Sequence, residues 1–577
     1  MNHRNFKRRV GVALALLITL SAASYSQAQV IFKSGFDETP EGPATDQEAA
    51  RFLTQTTFGP TIAEIQRLRQ IGYNTWLEEQ FAMPMSQHKP YLDTLANQSP
   101  PVDIYHNIRR EAWMQRAMTA PDQLRQRVAF ALSEILVTSE NSGATEGQPI
   151  ALTHYYDLLG TGAFGNYRTL LKDVTLHPIM GHYLSMFGNR KPDPSINLRP
   201  DENYAREIMQ LFSVGLVQLA SNGTPVLVGG LPVPTYTQET IQGFAHVFTG
   251  WKWFDCPADN WQWCGPGSTN AGWLQPMAPN VEFHAVEGTK QLLNYSGVAL
   301  PGGVMPAGNR PTATVQTVRD NMDTALNNIF NHPNVGPFLS KLLIQRLVSS
   351  NPSPAYVQRV ATVFNNNGSN VRGDLRAVIR AIVMDTEARA QPLPGSTRGK
   401  LREQPLRWTQ LWRAFGVTNP RGRYQEWYIH YPYFSPVTVM ASPTVFNFYL
   451  PNYAAPGPDV AQAGLLSPEF QIETDTFVTR FNNLVEWLAT DMHAGSVQSD
   501  YTGPRVNYGR EVALAGNVDQ LLTHLNVLLM GGTMSTSMRN ALTTYLNSIP
   551  VTDYNGYRRT TDAISLIVTS PEYVIEK

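Results

Sequence analysis

Apolar residues return at helical spacing along most of this chain. From Asp46 onward, Ala49, Ala50, Phe52 and Leu53 lead to Phe58-Gly59-Pro60-Thr61, and Thr61 is placed to cap a second helix carrying Ile62, Ile65, Leu68 and Ile71. A helical block covers Ile104 to Val137, with Leu124, Val128, Leu132 and Ile135 forming a core-facing stripe. Another covers Tyr155 to His182. The period resumes at Pro311 with Val315 to Phe330 and the stretch from His332 to Val348. Ser353-Pro354 and Arg372-Gly-Asp-Leu375 open two further helices, followed by Lys400 to Phe415, Pro468 to Leu488 and a C-terminal group. Ser467-Pro-Glu-Phe470 and Ser570-Pro-Glu-Tyr573 share one start signal: a Ser cap, Pro at the first position and Glu facing the positive helix end. No long internal repeat is present, so a solenoid is not expected. The pattern predicts a mainly α fold: a large multi-helix domain over 46–577 with a small irregular and β insertion around residues 216–305.

Within that insertion, Thr224 to Pro234 reads as a small hairpin, and Thr237 is placed to cap a helix that runs towards Gly250. A tryptophan-rich stretch over 251–273 follows, holding Trp251, Trp253, Trp261, Trp263 and Trp273. The only two cysteines, Cys256 and Cys264, lie inside it and are expected to pair in an oxidising compartment. Closing so small a ring contributes about 2–3 kcal/mol. The stapled loop reads either as a folded plug or as a platform whose flat rings stack on sugars or clasp cations. On the second reading the ligand-binding candidates are Trp251, Trp253, Trp261, Trp263 and Lys290.

Charge and targeting signals narrow the function classes. The formal net charge of the 577 residues is -1, which argues against nucleic acid as the main partner. Arg4, Lys7, Arg8 and Arg9 precede an apolar run from Val10 to Ala23, and Ser26-Gln27-Ala28 fits a cleavage site. Residues 1–28 therefore read as a signal peptide and 29–45 as a linker, which predicts an exported protein, periplasmic or extracellular. No later apolar run is long enough to span a bilayer.

The stretch from Asn197 to Gly215 concentrates the candidate chemistry. Pro200 and Asp201 mark a helix start, and Gly215 sits where a left-handed C-cap falls. Tyr204, Ala205, Ile208, Met209, Leu211 and Phe212 fill one arc; Glu202, Asn203, Arg206 and Glu207 fill the other. Paired carboxylates with histidines serve as acid and base or bind a divalent metal, with His177 and His284 as the candidate ligands. The competing readings are a buried network bridged by Arg206 and a solvated Glu202–Arg206 pair worth about 0.3–0.5 kcal/mol. His177 and His182 are five apart, off a common helix face, and read as structural histidines. Gly160-Thr-Gly162-Ala-Phe-Gly165 matches the dinucleotide fingerprint only in letters, since a helical pattern precedes it where a strand is required. Zincin, nucleophile-elbow and phosphate-loop signatures are absent from the sequence. Carboxylate-based glycan hydrolysis leaves no regular local signature.

Several segments together resemble a known family. They are Glu202-Asn-x-Ala-Arg-Glu207, Tyr236-Thr-x-x-x-Ile241, Phe248-Thr-Gly-Trp251, His284-x-x-x-Gly-x-Lys290, His332-Pro-Asn-x-x-Pro-Phe338, Leu343-Ile-Gln-Arg-Leu-Val348, Val371-Arg-Gly-Asp-Leu375, Gly399-Lys-Leu-Arg-Glu403 and Val445-Phe-Asn-Phe448. The set, from about Asp46 to the C-terminus, resembles the large bacterial family catalogued as domain of unknown function 1800. The resemblance implies an exported, largely helical protein, often encoded beside a second exported family that is similar to sulfatases and alkaline phosphatases. It implies no established activity. The chain departs from the pattern at Ala285, where an Asp usually follows the His.

Two functional readings follow. In one, the protein is non-catalytic and binds a cell-envelope or extracellular polymer, or assists a neighbouring sulfatase- or phosphatase-like protein; this predicts an exposed tryptophan loop and an Arg206-centred salt network. In the alternative, it is a carboxylate- or metal-dependent hydrolase of a glycan or related polymer; this predicts a cleft where Glu202 and Glu207 converge with a histidine.

Overall fold

Local signals start most of the helices where the sequence places them. Thr45 accepts the Glu48 amide at the head of Asp46–Thr56, and Thr61 closes a capping box with Glu64 on Ile62–Ala82. Thr237, Ser353, Asp374 and Ser570 cap Gln238–Val247, Pro354–Asn365, Leu375–Met384 and Pro571–Val574. Each side-chain oxygen accepts one of the amides that a helix start leaves open. Ser467 does not follow its sequence twin. Pro468–Gln471 is a 3-10 turn that Ser467 does not cap, and its hydroxyl accepts the Ala455 amide instead. The helix of that region begins later, as Asp475–Thr490 capped by Thr474.

The computed structural model describes residues 42–267, 271–391, 396–424, 429, 433–491 and 503–577. The expected signal peptide, and the linker up to residue 41, lie outside the described residues. The chain is mainly α, with four two-stranded antiparallel ribbons among the described residues. Three ribbons fall in the expected insertion: Leu227–Val228 with Leu231–Pro232, Trp251–Lys252 with Ala278–Pro279, and Lys290–Gln291 with Val304–Met305. The fourth lies outside it. Lys400 pairs with Glu576 and Leu401 with Ile575, which fastens the C-terminus onto the Gly399–Glu403 motif. Gly399, at φ 115°, permits this approach, because a Cβ there would collide with the Glu576 carbonyl oxygen.

One continuous apolar cluster runs from Ala49 to Tyr573. Val335–Leu347 packs on Pro354–Asn365, which packs on Leu375–Met384; Asp475–Thr490 packs on Tyr557–Val568. Among the described residues no helix is long and apolar enough to cross a membrane.

Candidate functional site

The helix expected over Asn197 to Gly215 spans only Asn203–Gln210. Asp201 still serves its start, because Asp201 Oδ1 accepts the Asn203 amide at 2.8 Å. Gly215 stands at φ 72°, and its amide donates to the Met209 carbonyl at 2.9 Å. Tyr204, Ala205, Ile208, Met209 and Phe212 are buried, and the Tyr204 hydroxyl reaches Thr175 Oγ1 at 2.6 Å. The polar arc divides. Asn203 is exposed, and Arg206 pairs with Glu202 at 3.1 Å across side chains 39% and 30% exposed. Gln238 donates to the same Glu202 oxygen at 2.7 Å. An i,i+4 pair this open contributes about 0.3–0.5 kcal/mol.

Glu207 is on the buried side, contrary to its place on the expected polar arc. It is 5% exposed, and its Oε2 has no hydrogen-bond partner among the described residues. Burial raises its pKa, and the Arg206 charge only partly offsets this. The Tyr236 hydroxyl is likewise buried and unpartnered. Burial, and then the Glu207 charge, push Tyr236 up to about 12. The Asn203–Gln210 and Gln238–Val247 helices pack together, which brings the Glu-Asn-x-Ala-Arg-Glu and Tyr-Thr segments to one place.

The two candidate histidine ligands lie elsewhere, with their rings engaged. His177 Nδ1 accepts the Ile179 amide at 3.2 Å, and Nε2 lies 3.0 Å from His154 Nδ1. His284 Nδ1 donates to the Thr249 carbonyl at 2.9 Å, and Nε2 accepts from Asn321 at 3.0 Å. Burial lowers the pKa of both, His284 to about 4. Among the described residues no group of three or more His, Cys, Asp or Glu is placed to hold a metal.

The tryptophan loop is folded inward. Cys256 and Cys264 form the expected disulfide. Trp251, Trp253, Trp261 and Trp273 are buried, and only Trp263 is open, at 84% exposure. Trp261 stacks on Phe283 at 4.2 Å, and Trp253 sits against Phe187 at 4.4 Å and Trp273 at 4.9 Å. Lys252 Nζ, buried beneath, donates to the Trp261 and Gln262 carbonyls at 2.8 Å each. Lys290 is buried too, and its Nζ binds the Val286 and Gly288 carbonyls of its own turn. The buried indole faces are taken up by the protein.

Sequence reasoning missed a buried ionic cluster assembled from the motifs themselves. Lys400 Nζ lies 3.4 Å from Glu403 Oε2 and 3.6 Å from Glu469 Oε1, and donates to the Arg346 carbonyl at 2.9 Å. Arg346 Nε lies 3.7 Å from Glu134 Oε2, and Arg127 Nη2 donates to the Arg346 carbonyl at 2.7 Å. Tyr449 donates to Glu403, and Arg407 pairs with Glu473 at 2.6 Å. Burial and then the Glu403 charge hold the Glu134 pKa well above the usual carboxylate range. Burial also works against ionised Glu403, but the Lys400 charge, the neighbouring Glu134 carboxyl and Arg346 overcome it and hold Glu403 down at about 2. The two shifts run in opposite directions, so Glu134 favours its neutral form and Glu403 its ionised form. The available signal was charge inside apolar helical stripes, such as Arg346 between Ile344 and Leu347.

The cluster backs onto a cleft. Ser350 Oγ donates to Glu469 Oε2 at 3.3 Å, and Ser350 lines an open cavity of about 620 Å³. Lys341, the segment 351–353, Glu387, Thr397, Arg398 and the segment 464–466 complete its walls. Asn351 and Leu466 exchange two hydrogen bonds, at 2.8 and 2.7 Å, which fixes one wall to the other.

No curated protein and no solved structure matches the chain. The model of one family, described as a protein of unknown function (DUF1800), matches residues 51–575. That match takes in the carboxylate helix, the stapled loop, the ionic cluster and the cleft, and the chain belongs to the DUF1800 family.

Proposed function

We propose that this is an exported, non-catalytic protein that binds a cell-envelope or extracellular polymer, and that the polymer seats in the cleft between Lys341 and Leu466. The observation carrying this reading is the cleft itself: an open cavity of about 620 Å³ whose walls mix hydroxyls, an amide and cations with the apolar Pro352, Leu465 and Leu466. Its one carboxylate, Glu387, is engaged. Glu387 accepts the Ser353 amide at 2.9 Å on one oxygen and the Ser353 hydroxyl at 2.5 Å on the other. Hydrolysis of a glycoside ordinarily needs two carboxyl groups across the bond. The Cys256–Cys264 disulfide supports the export half of the reading, since such bonds persist in oxidising compartments. Service to an exported sulfatase- or phosphatase-like partner is compatible with this role, the partner acting on the polymer that the cleft holds.

The test is affinity electrophoresis of the mature chain through gels containing a panel of polysaccharides. At least one polymer is expected to retard the wild type, and Thr397→Trp, which fills the cleft from an exposed position, is expected to abolish the retardation without lowering the melting temperature. Retardation that persists in Thr397→Trp overturns the reading.

The hydrolase reading is favoured by one observation, the unpartnered buried oxygens of Glu207 and Tyr236. It fails if Glu207→Gln leaves any polymer turnover unchanged.

A further inference from the structure

We propose that the cleft recognises anionic groups of its ligand, carboxylates, phosphates or sulfate esters, through the Lys341 ammonium and the Arg398 guanidinium that line it. The proposal rests on the reading of this cavity as a binding site and adds the chemical class of what enters it.

Lys341 is the half-buried edge of a helix, Val335–Leu347, whose other side is core. Elsewhere in this protein, buried ammonium groups are fully engaged: Lys252, Lys290 and Lys400 each bind backbone carbonyls. Lys341 differs. Among the described residues no oxygen accepts a hydrogen bond from it and no carboxylate pairs with it. Burial lowers its pKa, with no neighbouring carboxylate to offset the effect. The ammonium is not sealed in the core but opens onto the cavity, where an anion meets it without displacing a protein partner.

Arg398 stands on the same cavity wall. It commits Nη1 to the Ala390 carbonyl at 3.0 Å, which leaves the rest of its fork for a ligand. A guanidinium fork matches the paired oxygens of carboxylate, phosphate and sulfate. Glu387, the acid on the lining, binds Ser353 through both oxygens and makes no ion pair with either cation, although its charge partly offsets the effect of burial on Arg398. The hydroxyl of Thr397 and the amide of Asn351 add neutral groups suited to sugar hydroxyls around the charge.

The experiment compares the mature wild-type chain with Lys341→Met, Lys341→Arg, Arg398→Met and Thr397→Trp. Affinity electrophoresis is run against a polyuronate, a sulfated glycan, a polyglycerol phosphate and neutral dextran, at low and physiological salt; inorganic phosphate and sulfate are titrated by calorimetry in parallel. The expected result is binding of one or more acidic polymers and not dextran. Lys341→Met and Arg398→Met should each weaken it by roughly tenfold or more, as loss of a charge-assisted contact does. Lys341→Arg should retain most of it, and melting temperatures should stay at the wild-type value. Which acidic polymer binds identifies the source of the anion. If dextran and acidic polymers bind alike and only Thr397→Trp abolishes both, the cleft stands as a polymer site and the anionic assignment is overturned. If phosphate or sulfate binds, is lost in Lys341→Met, and no polymer binds, the anion assignment stands and the polymer reading falls. Acidic binding indifferent to Lys341→Met and Arg398→Met, or no binding of any anion, overturns the assignment.

Discussion

The opposite shifts of Glu134 and Glu403 make opposite predictions for two chemically identical substitutions. Both side chains are buried in the ionic cluster. Glu403 is the ionised member, set against Lys400 at 3.4 Å with neither side chain exposed. At an effective dielectric of about 20, charges at that separation attract by about 5 kcal/mol. Glu403→Gln removes this and leaves Lys400 and Arg346 facing fewer anions, so a loss of about 3–5 kcal/mol is expected, the range seen when one partner of a buried pair is deleted. Glu134 is the member that favours its neutral form, and an amide is the neutral isostere of a carboxylic acid. Glu134→Gln should therefore cost no more than about 1 kcal/mol. The pH dependence separates them further. Folded Glu134 holds its proton above 4.5, where the unfolded chain releases it. The folded state then binds more protons, and stability falls as pH rises from 4.5 through the raised folded value. Glu134→Gln should flatten that fall. The assay is urea unfolding followed by far-ultraviolet circular dichroism across pH 5–8, a range of roughly neutral and mildly acid buffers. Equal destabilisation by the two substitutions, or an unchanged pH slope in Glu134→Gln, would refute the placement of the proton.

Three further outcomes are expected. Trp261→Ala, which empties the face stacked on Phe283, should lower stability by about 3–5 kcal/mol, whereas Trp263→Ala at 84% exposure should stay within about 0.5 kcal/mol, both read from urea midpoints. Gly399→Ala should destabilise the junction with the C-terminal strand, because φ 115° disfavours any side chain and the new Cβ meets the Glu576 carbonyl; hydrogen exchange should rise at the Arg402 amide, which donates to the Val574 carbonyl. His284, held neutral with a pKa of about 4, contributes stability that is present above the unfolded value near 6.5 and is lost as pH falls towards 4. His284→Gln should remove up to about 3 kcal/mol of that acid loss, seen as a shallower slope of unfolding free energy against pH.

The sequence by itself determined the parts of this protein that neighbouring residues decide. Thr61 with Glu64, Ser353 before Pro354, Asp374 before Leu375 and Ser570 before Pro571 start helices because a side-chain oxygen within three residues satisfies an open amide. The apolar period marked the core faces, and the eight-residue separation of Cys256 and Cys264 left their pairing little choice. The motif set was also enough to indicate the family that the whole-chain match shows.

Tertiary structure decided everything that depends on what lies across from a side chain. Helical geometry put Glu207 beside Glu202 on a polar arc, but the packing of Asn203–Gln210 against Gln238–Val247 buries Glu207 and leaves Glu202 in water. Composition made the tryptophans conspicuous without saying which way they face; the Lys252 ammonium beneath the loop draws its carbonyls inward, and the rings follow. The ionic cluster gathers Glu134, Arg346, Lys400, Glu469 and Glu576 from separate elements, and no local pattern specifies that five distant charges will be buried together. The same holds for the cleft. Lys341 reads in sequence as an ordinary polar position on a helix, and only the folded chain puts it on the lining of the cavity that Arg398 also lines.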